Sequence, residues 1–184
     1  MYKRQVERSG IIDGTRVKAG DAIIGMASSG VHSNGYSLVR KLIQVAGADE
    51  HTQLDGRPLF DRLLEPTRIY VKSMLQLAAA LPVHAFAHIT GGGLTDNIPR
   101  VLPDGMEARL ERRAWHNDPL FDWLAATGSI EAAEMHRTFN CGIGMIAVVE
   151  PGKCDEALRL LNLAGERATL IGHIRAGTAG VVID

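Results

Sequence analysis

The chain has 184 residues, enough for one ordinary domain and too few for two comfortable ones. Hydrophobic residues make up 46% and aromatics only 5%, so a core is affordable but must rest on Leu, Ile, Val and Ala. A net charge of −1 argues against a nucleic-acid binder that works through bulk charge. No apolar run reaches membrane-spanning length, and the first residues lack a signal-peptide core.

Residues Met1–Gln5 are polar and basic and fit no periodic element, so they read as a tail. Asp21–Ala27 reads as a strand, with Ala22, Ile23, Ile24 and Met26 as its apolar run. Ser28–Gly35 breaks it. A helix follows, with Leu38, Leu42 and Val45 at helical spacing, Ser33 or Asn34 as N-cap and Gly47 at the C′ position. Leu59–Leu64 predicts a short helix stopped before Pro66. Ile69–Ala80 predicts a stronger one: Tyr70, Met74 and Leu77 share a face, Val71, Leu75 and Ala78 widen it, and most of its circumference should be buried.

Val83–Ile89 is a strand candidate with Val83, Ala85, Ala87 and Ile89 on one face and His84, Phe86 and His88 on the other. Thr90–Gly93 then leads into a short helix over Leu94–Val101. A strand is expected at Met106–Leu110, helices at Pro119–Ala126 and Glu131–Arg137, and a strand at Gly142–Val149. Cys154–Ala164 is an amphipathic helix, and Ala168–Ile174 and Val181–Ile183 close the chain as strands. The alternation places the chain in the α/β (α+β) class, a layered mixed sheet with flanking helices. The last strand–helix–strand–strand run is partly ferredoxin-like.

Two strand–glycine loop–helix units are the places where chemistry can sit. In Ser28–Gly35 the helix that follows offers free N–H groups and the positive end of its dipole, while Ser28, Ser29, Ser33 and Asn34 add neutral donors. That suits a phosphate or another anion, and a plain capped turn fits the same pattern. It is not a Walker A loop, because it lacks the Gly-Lys-Ser/Thr ending. His32 inside it either serves a phosphate or a proton transfer, or merely fits the turn.

In Thr90–Gly93, three successive glycines suggest close approach of backbone to a ligand or to a neighbouring strand. Asp96 and Asn97 follow in the first helical turn, where an acid more often serves the dipole than a metal. Arg68 could fork onto a phosphate or sit at the surface. His84 and His88 would lie about 13 Å apart on a strand, too far for one metal, and read as structural. Gly142–Ala147 mimics a dinucleotide fingerprint but begins a strand where the motif should follow one. Cys141 and Cys154 form no zinc or redox spacing; two lone thiols favour a reducing compartment, with the cytoplasm as default.

The run Gly30-Val31-His32-Ser33-Asn34-Gly35-Tyr36-Ser37-Leu38-Val39-Arg40-Lys41 resembles a signature of phosphoribosylformylglycinamidine cyclo-ligase, the AIR synthetase family. The match continues through Leu54–Gly56, Pro66–Lys72, His88–Gly93, Asn97–Pro103 and Met135–Met145, in order, from about Val6 onward. The resemblance implies the C-terminal domain, residues 6–184, of a two-domain enzyme. In that family ATP phosphorylates the formamide oxygen of formylglycinamidine ribonucleotide, an internal amine attacks, and the imidazole ring closes with loss of phosphate.

On this resemblance His32 is the candidate for acid–base work or phosphate stabilisation. Ser29, Gly30, Ser33, Asn34 and Gly35 would cradle a phosphate. Thr90, Gly91, Gly92 and Gly93 would line the facing wall, with Thr67 and Arg68 beside them. ATP and Mg2+ would be held mainly by an N-terminal domain outside this sequence, no metal site is expected within it, and the full-length protein is expected to be a homodimer. The 184 residues alone are expected to be inactive as a cyclo-ligase. Other members of the superfamily, among them the formylglycinamidine ribonucleotide amidotransferase, and a stand-alone anion-binding module remain alternatives.

Overall fold

A computed structural model describes residues 7–178 and 180–184. The expected tail, residues 1–5, lies outside them. The strands are β1 (Ala22–Ala27), β2 (Gln53–Leu54), β3 (Arg57–Pro58), β4 (Val83–His88), β5 (Met106–Leu110), β6 (Ile143–Val149), β7 (Ala168–Ala176) and β8 (Gly180–Ile183). The α-helices are α1 (Tyr36–Ala46), α2 (Leu59–Leu63), α3 (Val71–Ala80), α4 (Gly93–Asn97), α5 (Pro119–Gly128), α6 (Ala132–Thr138) and α7 (Cys154–Leu163).

Six strands form one mixed sheet in the order β4-β6-β1-β7-β5-β8, while β2 and β3 make a separate hairpin. β1 runs antiparallel to both β6 and β7, and only β5 and β8 pair in parallel. The unit β6–α7–β7 is therefore split, with β1 inserted between its two parallel strands, which is the ferredoxin-like part of the fold.

Strand alternation explains how one sheet serves two cores. Ile23 of β1 joins Ile146, Val148, Ile171 and Ile174 on one face, where Leu94 and Ile98 from the α4 region cover them. Ala22, Ile24 and Met26 point the other way and pack against Leu77 of α3 and Ala157 and Leu161 of α7. A third cluster lies among α1, α2, α5 and α6, with Val39, Leu59, Leu124 and Phe139 at its centre. The two layers on the sheet are largely aliphatic, and the third cluster adds Phe121 and Phe139.

The structure corrects the sequence reading at five places. The N-cap of α1 is Gly35, in the left-handed region at φ 74°, and not Ser33 or Asn34; a Cβ at Gly35 would run into the Phe139 ring, so only glycine fits. A bulge between Val83 and Ala85 turns β4 over, which puts Val83 in the α3/α7 layer and Ala85 and Ala87 in the opposite one. The helix after the triglycine stops at Asn97, and Pro99–Val101 continues as a 3-10 turn.

Asp55 and Gly56, both at positive φ, close the β2–β3 hairpin that was not anticipated. The expectation that α3 is buried around most of its circumference also fails. Val71 and Leu75 are more than half exposed, and Ile69 just before the helix is 82% exposed.

His84 lies against Asp21. Its Nδ1 sits 2.6 Å from Asp21 Oδ2, which also accepts the Lys18 N–H at 3.0 Å. Asp21 is fully buried, and its Oδ1 has no partner among the described residues. Replacing His84 with Leu leaves that carboxylate without its neighbour and should cost about 3 kcal/mol in urea denaturation. Adding Asp21→Asn to that variant should recover part of the loss; equal stability of His84→Leu and wild type would show that the pair does not constrain the fold.

Candidate functional site

The Ser28–Gly35 loop leaves the end of β1 and is fastened by one side chain from the far end of the sequence. The Asn140 carboxamide is fully buried. Its Oδ1 accepts from Ser28 Oγ and from the Gly142 N–H, both at 2.9 Å, and its Nδ2 donates to the Gly30 carbonyl at 2.8 Å. Three of the four hydrogen bonds open to an asparagine side chain are thus used on this loop and its neighbour. Ser29 adds a bond from its Oγ to the Pro66 carbonyl at 2.7 Å, which brings the segment before α3 against the loop.

His32 is folded under the loop and not displayed on it. It is 3% exposed and takes a left-handed φ of 56°, a costly conformation for a side chain with a Cβ. Its Nε2 accepts the Ser29 N–H at 3.1 Å. That bond places the neutral ring's proton on Nδ1, which is buried and has no acceptor among the described residues. The ring faces Tyr70 and His88, with centroids 6.3 and 6.5 Å away. Burial, then the nearby His88 and Arg68 charges, pull its pKa down to about 4. His32 is accordingly a neutral imidazole at pH 7.

The Tyr70 hydroxyl donates to the Ala27 carbonyl at 2.8 Å, and burial first and Glu166 second push its pKa up. Gly144 on β6 completes this pocket. A Cβ there would strike the Tyr70 hydroxyl and come within 2.6 Å of His32 Cε1.

Thr67 and Ser33 meet through their hydroxyls at 3.1 Å, on the rim of the loop. Arg68 turns away from that rim. Its Nε donates to Glu166 at 2.7 Å and its Nη2 to the Gly165 carbonyl at 2.6 Å, and Ser73 holds the other Glu166 oxygen at 2.6 Å. Glu166 is only 7% exposed, so this is a fixed ion pair and not a free phosphate fork.

The second glycine loop is organised from within α4. Asn97 Nδ2 donates to the carbonyls of Thr90, Gly91 and Gly93, and its Oδ1 accepts from Thr90 Oγ1. Gly93, at φ 57°, packs so closely on the His136 and Phe139 carbonyls that a Cβ could not fit. The two loops converge. A Cβ on Gly91 would touch Asn34 Oδ1 at 3.7 Å, and Phe139 lies under both Gly35 and Gly93.

Ser29, Ser33, Asn34, Gly35, Thr67 and Thr90–Gly93 therefore form one continuous edge, with Gly30 pinned behind it and His32 beneath it. The edge ends at the N-terminus of α1, whose first N–H groups point out of the helix. Next to it opens an apolar groove of about 780 Å3, lined by Ile69, Val71, Leu75, Phe86, His88 and Met145 among others.

Sequence reasoning did not give roles to Asn140, Tyr70, Gly144 or Glu166. Each acts across a long sequence separation, and no local spacing marks it. The Asn97 side chain is occupied in holding the loop. No group of three or more His, Cys, Asp or Glu side chains that could hold a metal ion exists among the described residues. Both cysteines are free and buried, and burial lifts the Cys141 thiol to about 12, so neither is poised as a nucleophile. No helix among the described residues is long and apolar enough to cross a membrane.

The mixed α/β sheet with flanking helices is a fold found in several solved structures. A thiamine-monophosphate kinase from Stenotrophomonas maltophilia K279a superposes with a TM-score of 0.64 at 20% identity, over 97% of this chain and 54% of that one. The hydrogenase maturation protein HypE of E. coli gives 0.59 at 19% identity, over 92% and 48%. PurL of T. maritima, complexed with ADP, gives 0.57 at 12% identity, over 96% and 25%. The chain thus spans about half the length of the first two and a quarter of the third. The model of the family described as AIR synthase related protein, C-terminal domain, matches residues 18–184, and the chain belongs to that family.

Two outcomes follow from the loop's anchoring. Asn140→Ala leaves the Gly30 carbonyl and Gly142 N–H without partners and should lower stability by about 2–4 kcal/mol, read from denaturant midpoints. His32 should also make stability depend on pH. With its folded pKa depressed, its contribution is complete above pH 6.5 and is lost as pH falls toward about 4, because the unfolded imidazole takes up a proton the folded one refuses. The loss amounts to at most about 3 kcal/mol. His32→Asn, which tolerates the positive φ, should flatten that part of the stability–pH curve; an unchanged slope would assign it to other groups.

Proposed function

We propose that this chain is the C-terminal domain of a phosphoribosylformylglycinamidine cyclo-ligase, which closes the imidazole ring of formylglycinamidine ribonucleotide at the expense of ATP. The observation that carries the reading is spatial. Blocks far apart in sequence that resemble the cyclo-ligase family, Gly30–Lys41, Pro66–Lys72, His88–Gly93 and Met135–Met145, supply the single edge formed by the two glycine loops and the Asn140 and Phe139 side chains beneath it.

In this reading the edge receives the phosphoryl group. The Ser33 and Thr67 hydroxyls, the free N–H groups at the start of α1 and the exposed backbone of Gly91 offer neutral donors. Such donors stabilise developing negative charge without prior reorganisation. His32 holds the loop from beneath through Nε2, which accepts the Ser29 N–H and so keeps that backbone in place for the ligand; with Nε2 occupied, it is poorly placed as a general base. Arg68 is committed to Glu166 through Nε and to the Gly165 carbonyl through Nη2, so it supports the edge from behind and is not a phosphate fork in this reading.

ATP supplies the activation of the formamide oxygen, and the domain's own work is to position the ribonucleotide for intramolecular attack. Mg2+ and the adenine nucleotide belong mainly to a separate ATP-binding domain. The apolar groove beside Ile69, Val71 and Leu75 offers that domain a packing surface. Structures of HypE in complex with ATP and of PurL complexed with ADP favour nucleotide chemistry across the fold class. They also favour a second reading, in which the chain belongs to another ATP-using member of the superfamily. A cytoplasmic location and a homodimer of the longer protein accompany the first reading.

Calorimetric titration of the purified chain separates the two. Saturable binding of formylglycinamidine ribonucleotide without binding of thiamine monophosphate is expected, and the opposite preference would move the chain to the other branch. The chain alone should turn over no ATP with the ribonucleotide. Joined to its ATP-binding domain, it should lose at least about tenfold in kcat on His32→Ala, and unchanged turnover would remove His32 from the mechanism.

A further inference from the structure

A second cavity, which shares only Ser29 with the edge formed by the two glycine loops, is lined by three arginines from three separate elements. It encloses about 310 Å3 beside Ser28 and Ser29, and neither Ser33, Asn34, Thr67 nor Thr90–Gly93 lines it. Arg57 comes from the β2–β3 hairpin, Arg62 from α2, and Arg167 from the segment before β7. We propose that this cavity binds the phosphoryl group of a small phosphate monoester.

Arg62 is the fixed element. Its side chain is 12% exposed and ion-paired with Asp118, itself 19% exposed. Asp118 is held in turn as the N-cap of α5, accepting the Leu120 N–H at 2.9 Å. The pair uses one Arg62 nitrogen. Arg62 lines the cavity, and its Nε and Nη1 groups take no acceptor among the described residues. A preorganised guanidinium of this kind loses little freedom on binding.

Arg57 pairs with Glu65 at 3.2 Å, with its side chain 56% exposed. An exposed pair of that sort is worth little, so Arg57 can turn to a ligand at small cost. Arg167 is exposed and has no acidic partner among the described residues. Its carbonyl accepts the Ala27 N–H at 3.0 Å, which ties its backbone to the end of β1.

Three carboxylates, Asp55, Glu65 and Asp118, line the cavity together with the three arginines. Bulk field therefore contributes nothing, and recognition rests on local forks. Guanidinia arriving from three elements suit a tetrahedral group with several oxygens, whereas a planar carboxylate is satisfied by one fork. Trp115, Pro119 and Ile143 give an apolar wall for the organic part. The volume lies at the low end of ligand pockets, which suits a sugar phosphate and not a nucleoside triphosphate.

The site is tested by NMR titration of the chain with ribose 5-phosphate, inorganic phosphate and succinate, in the absence of ATP and of any purine precursor, so its failure is separate from failure of the cyclo-ligase reading. Saturable shifts at Arg57, Arg62 and Arg167 are expected with ribose 5-phosphate. Arg167→Gln should raise Kd at least about fivefold, and Arg113→Gln, an exposed cation elsewhere, should leave it unchanged. Three results would overturn the proposal: no saturable shift, equal Kd values for wild type and Arg167→Gln, or succinate or inorganic phosphate binding as tightly as the ester.

Discussion

The buried carboxamide of Asn140 is the contact on which the candidate site depends. It joins the end of β1 to the start of β6 by bonding Ser28, Gly30 and the Gly142 N–H at once. An asparagine has both donors and acceptors in one plane, so a single side chain can satisfy a carbonyl, a hydroxyl and an amide that would otherwise be buried without partners. Phe139, its neighbour, supports Gly35 with its ring and Gly93 with its carbonyl. Two adjacent residues thus fix both glycine loops relative to the sheet.

This anchoring changes what the loop residues can do. His32, buried and neutral, is locked by the Ser29 N–H on one nitrogen and carries an unmatched donor on the other. Arg68 is held by Glu166, a carboxylate that Ser73 also binds. The charged and titratable members of the candidate set are therefore largely committed to structure. The outward edge is made of hydroxyls, backbone and a helix N-terminus, a neutral surface suited to an anion that brings its own charge.

Strong positive charge is concentrated elsewhere, among Arg57, Arg62 and Arg167. There it is balanced by the carboxylates of Asp55, Glu65 and Asp118, which line the same cavity. A second apolar flank of α3, by contrast, has no partner among the described residues, with Val71, Leu75 and the preceding Ile69 exposed beside the glycine-loop edge. A surface of that kind beside the edge fits a domain whose site is completed by other residues.

What the sequence determined by itself was local. Helical and alternating periodicity located nearly every strand and helix of the sheet, and glycine spacing singled out both loops, because those signals are set by neighbours within a few residues. The Asp55-Gly56 turn is equally local, but its two-residue strands are too short to show an alternation. Strand order, the bulge that turns β4 over, the exposed face of α3 and the clasp of Asn140 were decided only by the tertiary structure. Ser28 and Asn140 are 112 positions apart and Arg68 and Glu166 98 apart, and no periodicity reaches that far. The sequence could mark His32 as a candidate, but only packing against Tyr70, His88 and the Gly144 backbone made it a buried, neutral imidazole.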